Sequence, residues 1–447
     1  MSQILQFNES TFDGCGKVLS ADAAASYLID GMSPNLVICP STLDELSRAM
    51  TIAYKEDISV TPWGGGTRIG LGNKLDRLDT VFDLSNMSKV VEYNPQDLTC
   101  TVQAGITINE LQSLFRDQSQ FLALDPSLPN QATIGGTLAL GLSGPSKWQY
   151  GSVRDLVIGM KVVQADGKVT KSGGGVVKNV SGYDMSKLHV GGLGTLAIIA
   201  EISLKLTPLL PKEATVLAGY DTFDQCFSVG LDIFRSKLLP NALTTFDDFA
   251  KNRIVRVPYE GNFFLSISLA GRELFLERQI NECRSICART SHSSLNILYS
   301  DEKPEAIWRN ISDFGLNDSA EPLALIRIST IPTNVNKFVG RLNGLDRNNV
   351  LDIGVVTHLA HGTILVGLFN KNEEGSPDSD ISYVIQQMFK IANLFKANMI
   401  LEKCPLEIKN HYDVWGNFDE SVTIMRSLKE QYDPKRLLNP GRFVGNI

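Results

Sequence analysis

A triplet of glycines, Gly64-Gly65-Gly66, constrains this chain more than any other feature. It directly follows a strand-like run, Ile58 to Pro62, and directly precedes Thr67-Arg68. Without Cβ atoms, successive amide N–H groups can converge on one point. Such a nest binds phosphate oxygens, and a neighbouring arginine adds charge. Two further clusters lie downstream, at Ala132 to Gly144 (ATIGGTLALGLSG) and between Gly173 and Gly194. In the first of these, small residues recur at Gly135, Gly136, Ala139, Gly141, Ser143 and Gly144. That pattern suits backbone pressed against a flat ligand, or a tightly packed helix–strand junction. All three clusters fall within the first 200 residues and no matching one follows, which points to one extended ligand bound by one domain.

Two common nucleotide motifs are excluded. Gly192-Leu193-Gly194-Thr195-Leu196-Ala197 has the letters of a Rossmann fingerprint, but the residues after it, Ile198 to Leu206, read as a strand where that motif needs a helix. No G-x-x-x-x-G-K-[ST] is present, so there is no P-loop. Composition narrows the class further. The 447 residues, 43% of them hydrophobic, can bury a large core in two or more domains. A formal net charge of -7 argues against nucleic acid as a partner. The start, MSQILQFNES, lacks the basic and apolar regions of a secretory signal. No uncharged apolar run approaches the roughly 18 residues that suggest a membrane span. Seven scattered cysteines without a C-x-x-C pair fit a reducing compartment and argue against an iron–sulfur or structural zinc site in this chain. Cys283 and Cys287, four apart, are expected to be two half-buried thiols on one helix face. A cytoplasmic location follows, with attachment to the inner membrane face through partners left open.

Along the first 125 residues strand and helix signals alternate. Val37-Ile38, Ile58–Pro62, Thr80–Leu84, Val90–Tyr93 and Cys100–Gln103 read as strands. Thr42 with Glu45, and Thr107 with Glu110, are capping boxes that open helices reaching about Lys55 and Gln118. Asp155 to Thr170 alternates around Asp166-Gly167, a hairpin signal, and Thr195 to Leu206 is another long strand pattern. Pro208 and Pro211 mark a boundary near residue 211. From Ala214 to about Glu430 the signals are mixed, with Lys371 to Asp380 as a solvated loop.

Several motifs then carry a resemblance: PWGGGTR, DPSLPNQATIGG, GLSGPSKWQYGSVRDLVIG, GGGVVKNVSGYDMSKL, GTLAIIAEISLKLTP and the tail DPKRLLNPGRFVG. In these segments the chain resembles the FAD-binding oxidoreductases of the vanillyl-alcohol oxidase and p-cresol methylhydroxylase superfamily. Within it, the chain most resembles the FAD-binding E subunit of bacterial glycolate oxidase. The resemblance implies an α+β chain with a PCMH-type FAD-binding domain over 1–211 and a C-terminal α/β substrate (cap) domain over 212–432. A last segment, 433–447, would return to the FAD domain. It further implies that Pro62, Trp63, Gly64, Gly65, Gly66, Thr67 and Arg68 hold the FAD pyrophosphate. Asp125, Pro126, Ser127, Thr133, Gly135 and Gly136 would line the dinucleotide, and Ala139, Gly141, Ser143 and Gly144 would lie near the flavin. Gly194, Thr195, Leu196, Ala197, Ile198 and Ile199 would meet the adenine half through their backbone. Lys178-Asn179 and Gly182-Tyr183-Asp184 match the family's KN-x-x-GYD element, expected to be mainly structural, with Lys178 a candidate for the redox site. Relatives with covalent flavin carry a histidine right after the glycine triplet. Thr67 stands there, so the FAD is expected to be non-covalent. Ser146-Lys147 departs from the pair of arginines common at that place.

Oxidation of a 2-hydroxy acid by flavin needs a cation for the carboxylate and a base for the hydroxyl proton. The second domain offers Arg327, His358 and His361, with Glu402 and His411 further on. Catalytic relatives hold a divalent metal with a histidine-rich segment and a later Glu-His. Here Glu402 is followed by Lys403, so no metal is expected. The resemblance implies oxidation of glycolate or D-lactate, with electrons passed to a sister flavoprotein and an iron–sulfur subunit. A stand-alone 2-hydroxy-acid dehydrogenase and a non-catalytic assembly subunit are the alternatives.

Overall fold

A computed structural model of the chain describes residues 9–174, 183–255, 259–299, 302, 304–316, 321–342, 344–345, 350–371, 378–418 and 420–447. Lys178-Asn179, Gly182 and most of the Lys371–Asp380 loop lie outside the described residues.

The threonine caps start helices as expected. The Thr42 hydroxyl accepts from Glu45 N at 3.2 Å and opens the helix Leu43–Lys55, though the Glu45 carboxylate answers Ser41 N rather than the cap's own amide. Thr107 forms the full reciprocal box with Glu110 and opens Ile108–Arg116. Both helices bury one stripe at helical spacing, Leu46, Ala49, Met50 and Ala53 in the first, Ile108, Leu111 and Phe115 in the second. They pack beside two small sheets. One has four strands in the order Lys17–Leu19, Leu36–Cys39, Thr80–Asp83, Val60–Trp63, with its last three strands parallel. The other has five, Val90–Asn94, Thr99–Gln103, Ala197–Lys205, Val157–Gln164, Val169–Gly173, all antiparallel. The run after Gly192-Leu193-Gly194 is therefore a strand, Ala197–Lys205, and the Rossmann reading fails on structural grounds.

The second glycine cluster is a helix–strand junction. Ile134–Leu140 forms a seven-residue helix capped by the Thr133 hydroxyl. Gly135 has a packing reason: a Cβ there would stand 2.6 Å from Ala104 Cβ, on the backbone leaving the strand Thr99–Gln103.

From Lys212 onward the chain builds one eight-stranded antiparallel sheet. Its order is Ser294–Tyr299, Lys212–Tyr220, Phe263–Gly271, Ala242–Asp247, Leu351–His358, Thr363–Asn370, Ala324–Ser329, Asn398–Lys403. The helices Phe223–Arg235, Glu273–Cys287, Val335–Leu342 and Asp378–Leu394 supply Ile233, Ile280, Phe338 and Ile385 to the core on one face of that sheet. Cys283 and Cys287 do share a helix face, but both are wholly buried there rather than half-buried. Among the described residues no helix is long and apolar enough to cross a membrane.

The tail returns to the first sheets. Val60 N donates to Leu437 O at 2.8 Å and Asn439 N to Val60 O at 3.1 Å, so the tail runs beside the strand that leads into the glycine triplet. Lys429 and Asp433 hold that return in place. The buried Lys429 Nζ donates to Asp433 Oδ2, Thr195 O and Leu438 O, at 2.7, 2.8 and 2.8 Å. Asp433 also accepts from Leu437 N and Leu438 N. Removing one member of a buried pair strands the other's charge. Asp433→Ala is therefore expected to lower unfolding stability by about 3–5 kcal/mol in a urea titration. A loss under about 1 kcal/mol, the range of an exposed pair, would contradict this account of the tail.

Candidate active site

Strand alternation decides which side chains of the large sheet face the glycine loops. Ile326 and Ile328 point into the helix-covered core, so Arg327 and Ser329 point the other way. On the neighbouring strands Ile364 and Val366 enter the core, leaving Thr363 and Leu365 on the side of Arg327. His358 ends its strand on that side, and the tight turn Leu359–His361 brings His361 beside it. The two imidazoles lie 5.3 Å apart between ring centres.

Between this face and the glycine loops lies a cleft of about 1340 Å³, the solvent at its mouth included. It brings together Pro62, Gly64 to Arg68, Asp125 to Ser127, Thr133, Gly136, Ala139, Gly141, Ser143 and Gly144 from the first sheets. From the second come Arg327, His358, His361 and Glu402. Trp63, Gly135, Gly194, Ile198 and Ile199 line a smaller cavity that shares Pro62, Gly64 and Thr133 with the cleft. Thr195, Leu196 and Ala197 line neither. The Thr195 hydroxyl donates to Gly192 O and its carbonyl accepts from Lys429, so that residue is engaged in the fold. His411 is exposed and outside the cleft. Lys147, Asn439 and Arg442 also line the cleft, and the sequence reading assigned none of them a role.

Gly65 shows why the triplet is needed. A Cβ on it would lie 1.8 Å from Gln131 O, so the loop at 64–66 can approach the loop at 131–133 only without a side chain. Apart from Arg327 Nε, which faces Glu402, three polar atoms on cleft-lining residues are buried with no hydrogen-bond partner: Asp125 Oδ1, Asn439 Oδ1 and His361 Nε2. Native interiors rarely leave such atoms unmatched, so a polar ligand is their natural partner. The long glycine-lined cleft with scattered polar atoms fits a dinucleotide.

Electrostatics set the other end. Glu402 is buried between two arginines. Arg68 NH1 donates to its Oε2 at 2.7 Å. Arg327 Nε stands 2.7 Å from Oε1, as an ion pair rather than an aligned hydrogen bond. Burial pushes the Glu402 carboxyl up, but the two guanidinium groups outweigh it and hold it below its ordinary value. Arg68 NH2 also reaches Ser127 Oγ, at 3.1 Å, and Ser127 Oγ donates to Ser312 O at 2.6 Å. Arg68 is thus committed across the cleft as well as toward the glycine loop. Burial, then His361 and Lys147, hold His358 far below the usual histidine range, and its Nδ1 meets Thr244 Oγ1 at 2.9 Å. Burial, then the charge of Lys147, lower His361 to about 4, and its Nδ1 meets Thr363 Oγ1 at 3.0 Å. Both imidazoles are neutral at physiological pH. Among the described residues no group of three or more His, Cys, Asp or Glu side chains is placed to hold a metal.

This fold and cleft define a flavin-dependent oxidoreductase. The FAD binding domain profile matches residues 34–173, and the profile for the C-terminal domain of FAD linked oxidases matches 209–392 and 411–443. The chain belongs to the FAD-linked oxidases, and its cofactor is FAD. It is 27% identical over 440 residues to glycolate oxidase subunit GlcD of Bacillus subtilis, covering 95% of this chain and 92% of that protein. It is 24% identical over 428 residues to D-lactate dehydrogenase of Anaerostipes hadrus, covering 92% and 89%. A crystal structure of p-cresol methylhydroxylase shares the fold at a TM-score of 0.75 and 14% identity, covering 97% of this chain and 95% of that one. The expected α+β, two-part PCMH-type architecture is what the chain adopts.

The neutral state of His361 can be measured. Because burial and Lys147 disfavour the imidazolium, the ring takes up a proton only as pH falls to about 4. Histidine NMR signals assigned with a His361→Gln variant are expected to show that midpoint. A midpoint at the unperturbed value of about 6.5 would mean the ring is solvated, not held in the cleft.

Proposed function

We propose that the chain oxidises a small 2-hydroxy acid, glycolate or D-lactate, in this cleft and passes the electrons through FAD to partner subunits. The observation that carries the reading is His361 Nε2. It is buried, unpartnered, on a neutral ring, and in the same cleft as the glycine loops. On this reading Pro62 to Arg68 hold the pyrophosphate, and Asp125 to Ser127 and Thr133 to Gly144 line the rest of the dinucleotide. The FAD is non-covalent, because Thr67 offers no imidazole after the triplet. The domain limits of 1–211, 212–432 and 433–447 belong to the same proposal.

On this reading His361 carries its proton on Nδ1 and donates to Thr363 Oγ1, 3.0 Å away, which leaves the Nε2 lone pair for the substrate hydroxyl. Bound FAD would supply the two-electron acceptor for the hydride from C2, and His361 Nε2 would take the hydroxyl proton as the C2 carbonyl forms. Glu402 is not the base, since both its oxygens already face guanidinium groups. His358 backs His361 as a second neutral ring, so no imidazolium competes for the base's role.

The electron path rests on the resemblance to a subunit and on the printed name of the Bacillus subtilis relative, also a subunit though with a different letter. A sister flavoprotein and an iron–sulfur subunit are the proposed acceptors. The stand-alone alternative draws on the D-lactate dehydrogenase relative and on the complete set of base and cations in this one cleft. Anaerobic addition of glycolate, then D-lactate, to the purified yellow chain tests the reading. Bleaching of the visible flavin band is expected. A band that ignores both acids with and without partner subunits would sink it.

Two variants separate cofactor from chemistry. Gly65→Ala is expected to give folded but colourless protein, because its Cβ would displace the 131–133 loop. His361→Asn is expected to stay yellow and lose about 10²- to 10⁴-fold in the rate of flavin reduction, the usual contribution of a general base. Unchanged reduction in His361→Asn would move the base elsewhere.

A further inference from the structure

We propose that Lys147 is the residue that binds the substrate carboxylate, rather than Arg327. This inference rests on the reading of the cleft as a 2-hydroxy-acid site. Four cationic side chains line the cleft: Arg68, Lys147, Arg327 and Arg442. Arg68 and Arg327 flank Glu402, each with a nitrogen 2.7 Å from one of its oxygens. Arg442 is buried and its Nε donates to Leu71 O at 2.9 Å. Lys147 has no side-chain hydrogen bond or ion pair among the described residues. It is the cation in the cleft whose charge the protein leaves unanswered. Lys147 is exposed at the cleft wall, so its ammonium is open to a carboxylate that enters from solution.

Lys147 is exposed, but the backbone that carries it is held in place. Lys147 opens a one-turn helix, Lys147–Tyr150, that belongs to the first part of the chain but is clamped to the large-sheet part. Trp148 stacks on Phe234, 5.6 Å between ring centres and 28° between planes. The Tyr150 hydroxyl reaches Asn241 Oδ1 at 3.4 Å. From behind, Ser146 N donates to Asp125 Oδ2 at 2.9 Å. These contacts hold the start of the helix against the turn Leu359–His361. Lys147 lines the same cleft as His358 and His361, and its charge disfavours a proton on either ring.

A 2-hydroxy acid has its carboxylate on the carbon that bears the hydroxyl. A cation for the one and a base for the other must therefore lie on one small patch. Lys147 and His361 line the same cleft, and neither the Lys147 ammonium nor His361 Nε2 has a partner among the described residues. Arg327 offers the same charge, but it already pairs with Glu402, which makes it a positioning residue for that carboxylate. The departure at Ser146-Lys147 from the arginine pair of similar chains then has a chemical content: a point charge replaces a planar fork.

The test uses the FAD-loaded full chain and reads binding, not turnover. Oxamate, a carboxylate that cannot be oxidised at C2, is titrated into wild type, Lys147→Met, Lys147→Gln and Lys147→Arg, following the change it causes in the flavin spectrum. Flavin content confirms that each variant is folded. The expected result is a 10- to 100-fold rise in Kd for the Met and Gln variants, about the loss of one charge-assisted hydrogen bond. Lys147→Arg should recover most of that affinity. The neutral amide of glycolic acid should bind wild type and Lys147→Met equally. If Lys147→Met binds oxamate as tightly as wild type while glycolate still bleaches wild type, the carboxylate lies elsewhere and only this inference falls. If wild type neither binds oxamate nor bleaches, the 2-hydroxy-acid reading falls with it.

Discussion

Glu402 places one negative charge between two arginines from opposite sides of the cleft. Arg68 comes from the segment that follows the glycine triplet, and Arg327 from the strand next to one edge of the eight-stranded sheet. A charge cluster of this kind, buried against water, adds little net stability, because desolvation consumes most of the attraction. Its consequence is geometric. Neither arginine can leave without stranding the carboxylate, so the glycine loop and the large sheet stay at one spacing. Ser127 and Asp313 reinforce that spacing a few residues away, through Ser127 Oγ to Ser312 O and Leu128 N to Asp313 Oδ1, both at 2.6 Å. The width of the cleft is set by these contacts, and every group that faces into it inherits its position from them.

The glycine loops depend on the same principle of close approach. Their amides are of use to a phosphate only if two loops meet, and Gly64 and Gly65 are where side chains would keep them apart, against Thr133 and Gln131. The C-terminal tail then closes the arrangement from outside. It runs beside Val60, the strand that delivers the triplet, and it sends Asn439 and Arg442 to the cleft wall. The Lys429–Asp433 pair that anchors the tail also reaches Thr195 O, at the end of the third glycine cluster. The tail and the glycine turn at 192–195 are thus held by one ammonium group.

The parts of this architecture legible in the sequence were those with local physical causes. Thr107 and Glu110 announce their helix because the capping box is a contact within four residues. Asp166-Gly167 announces its hairpin for the same reason. The glycine triplet is visible because only glycine meets the steric demand at that density. His358 and His361 were visible as chemistry-bearing types, and the strand period placed them on one face with Arg327. The pairing of Arg68 with Glu402 spans 334 residues and leaves no local trace. Each residue taken alone reads as a phosphate cation and a vestigial metal ligand. Lys147 was noted only as a departure from a motif, because nothing nearby in the sequence shows that Trp148 and Tyr150 dock on Phe234 and Asn241. Thr195 shows how far the fold itself engages the third glycine cluster: its hydroxyl donates to Gly192 O and its carbonyl accepts from Lys429 across 234 residues.

The charge balance of the cleft links these two halves. Glu402 neutralises cationic charge beside it, so the field at the histidine pair comes mainly from burial and from Lys147. Both effects favour the neutral imidazole, and a neutral imidazole is the form that can accept a proton. If Glu402 faced the histidines instead of the arginines, its charge would stabilise the imidazolium and raise the proton affinity of the rings. The ion pairs that hold the cleft to one width therefore also keep the Glu402 carboxylate engaged away from the two neutral imidazoles. Structural spacing and proton chemistry are two results of one placement of charge.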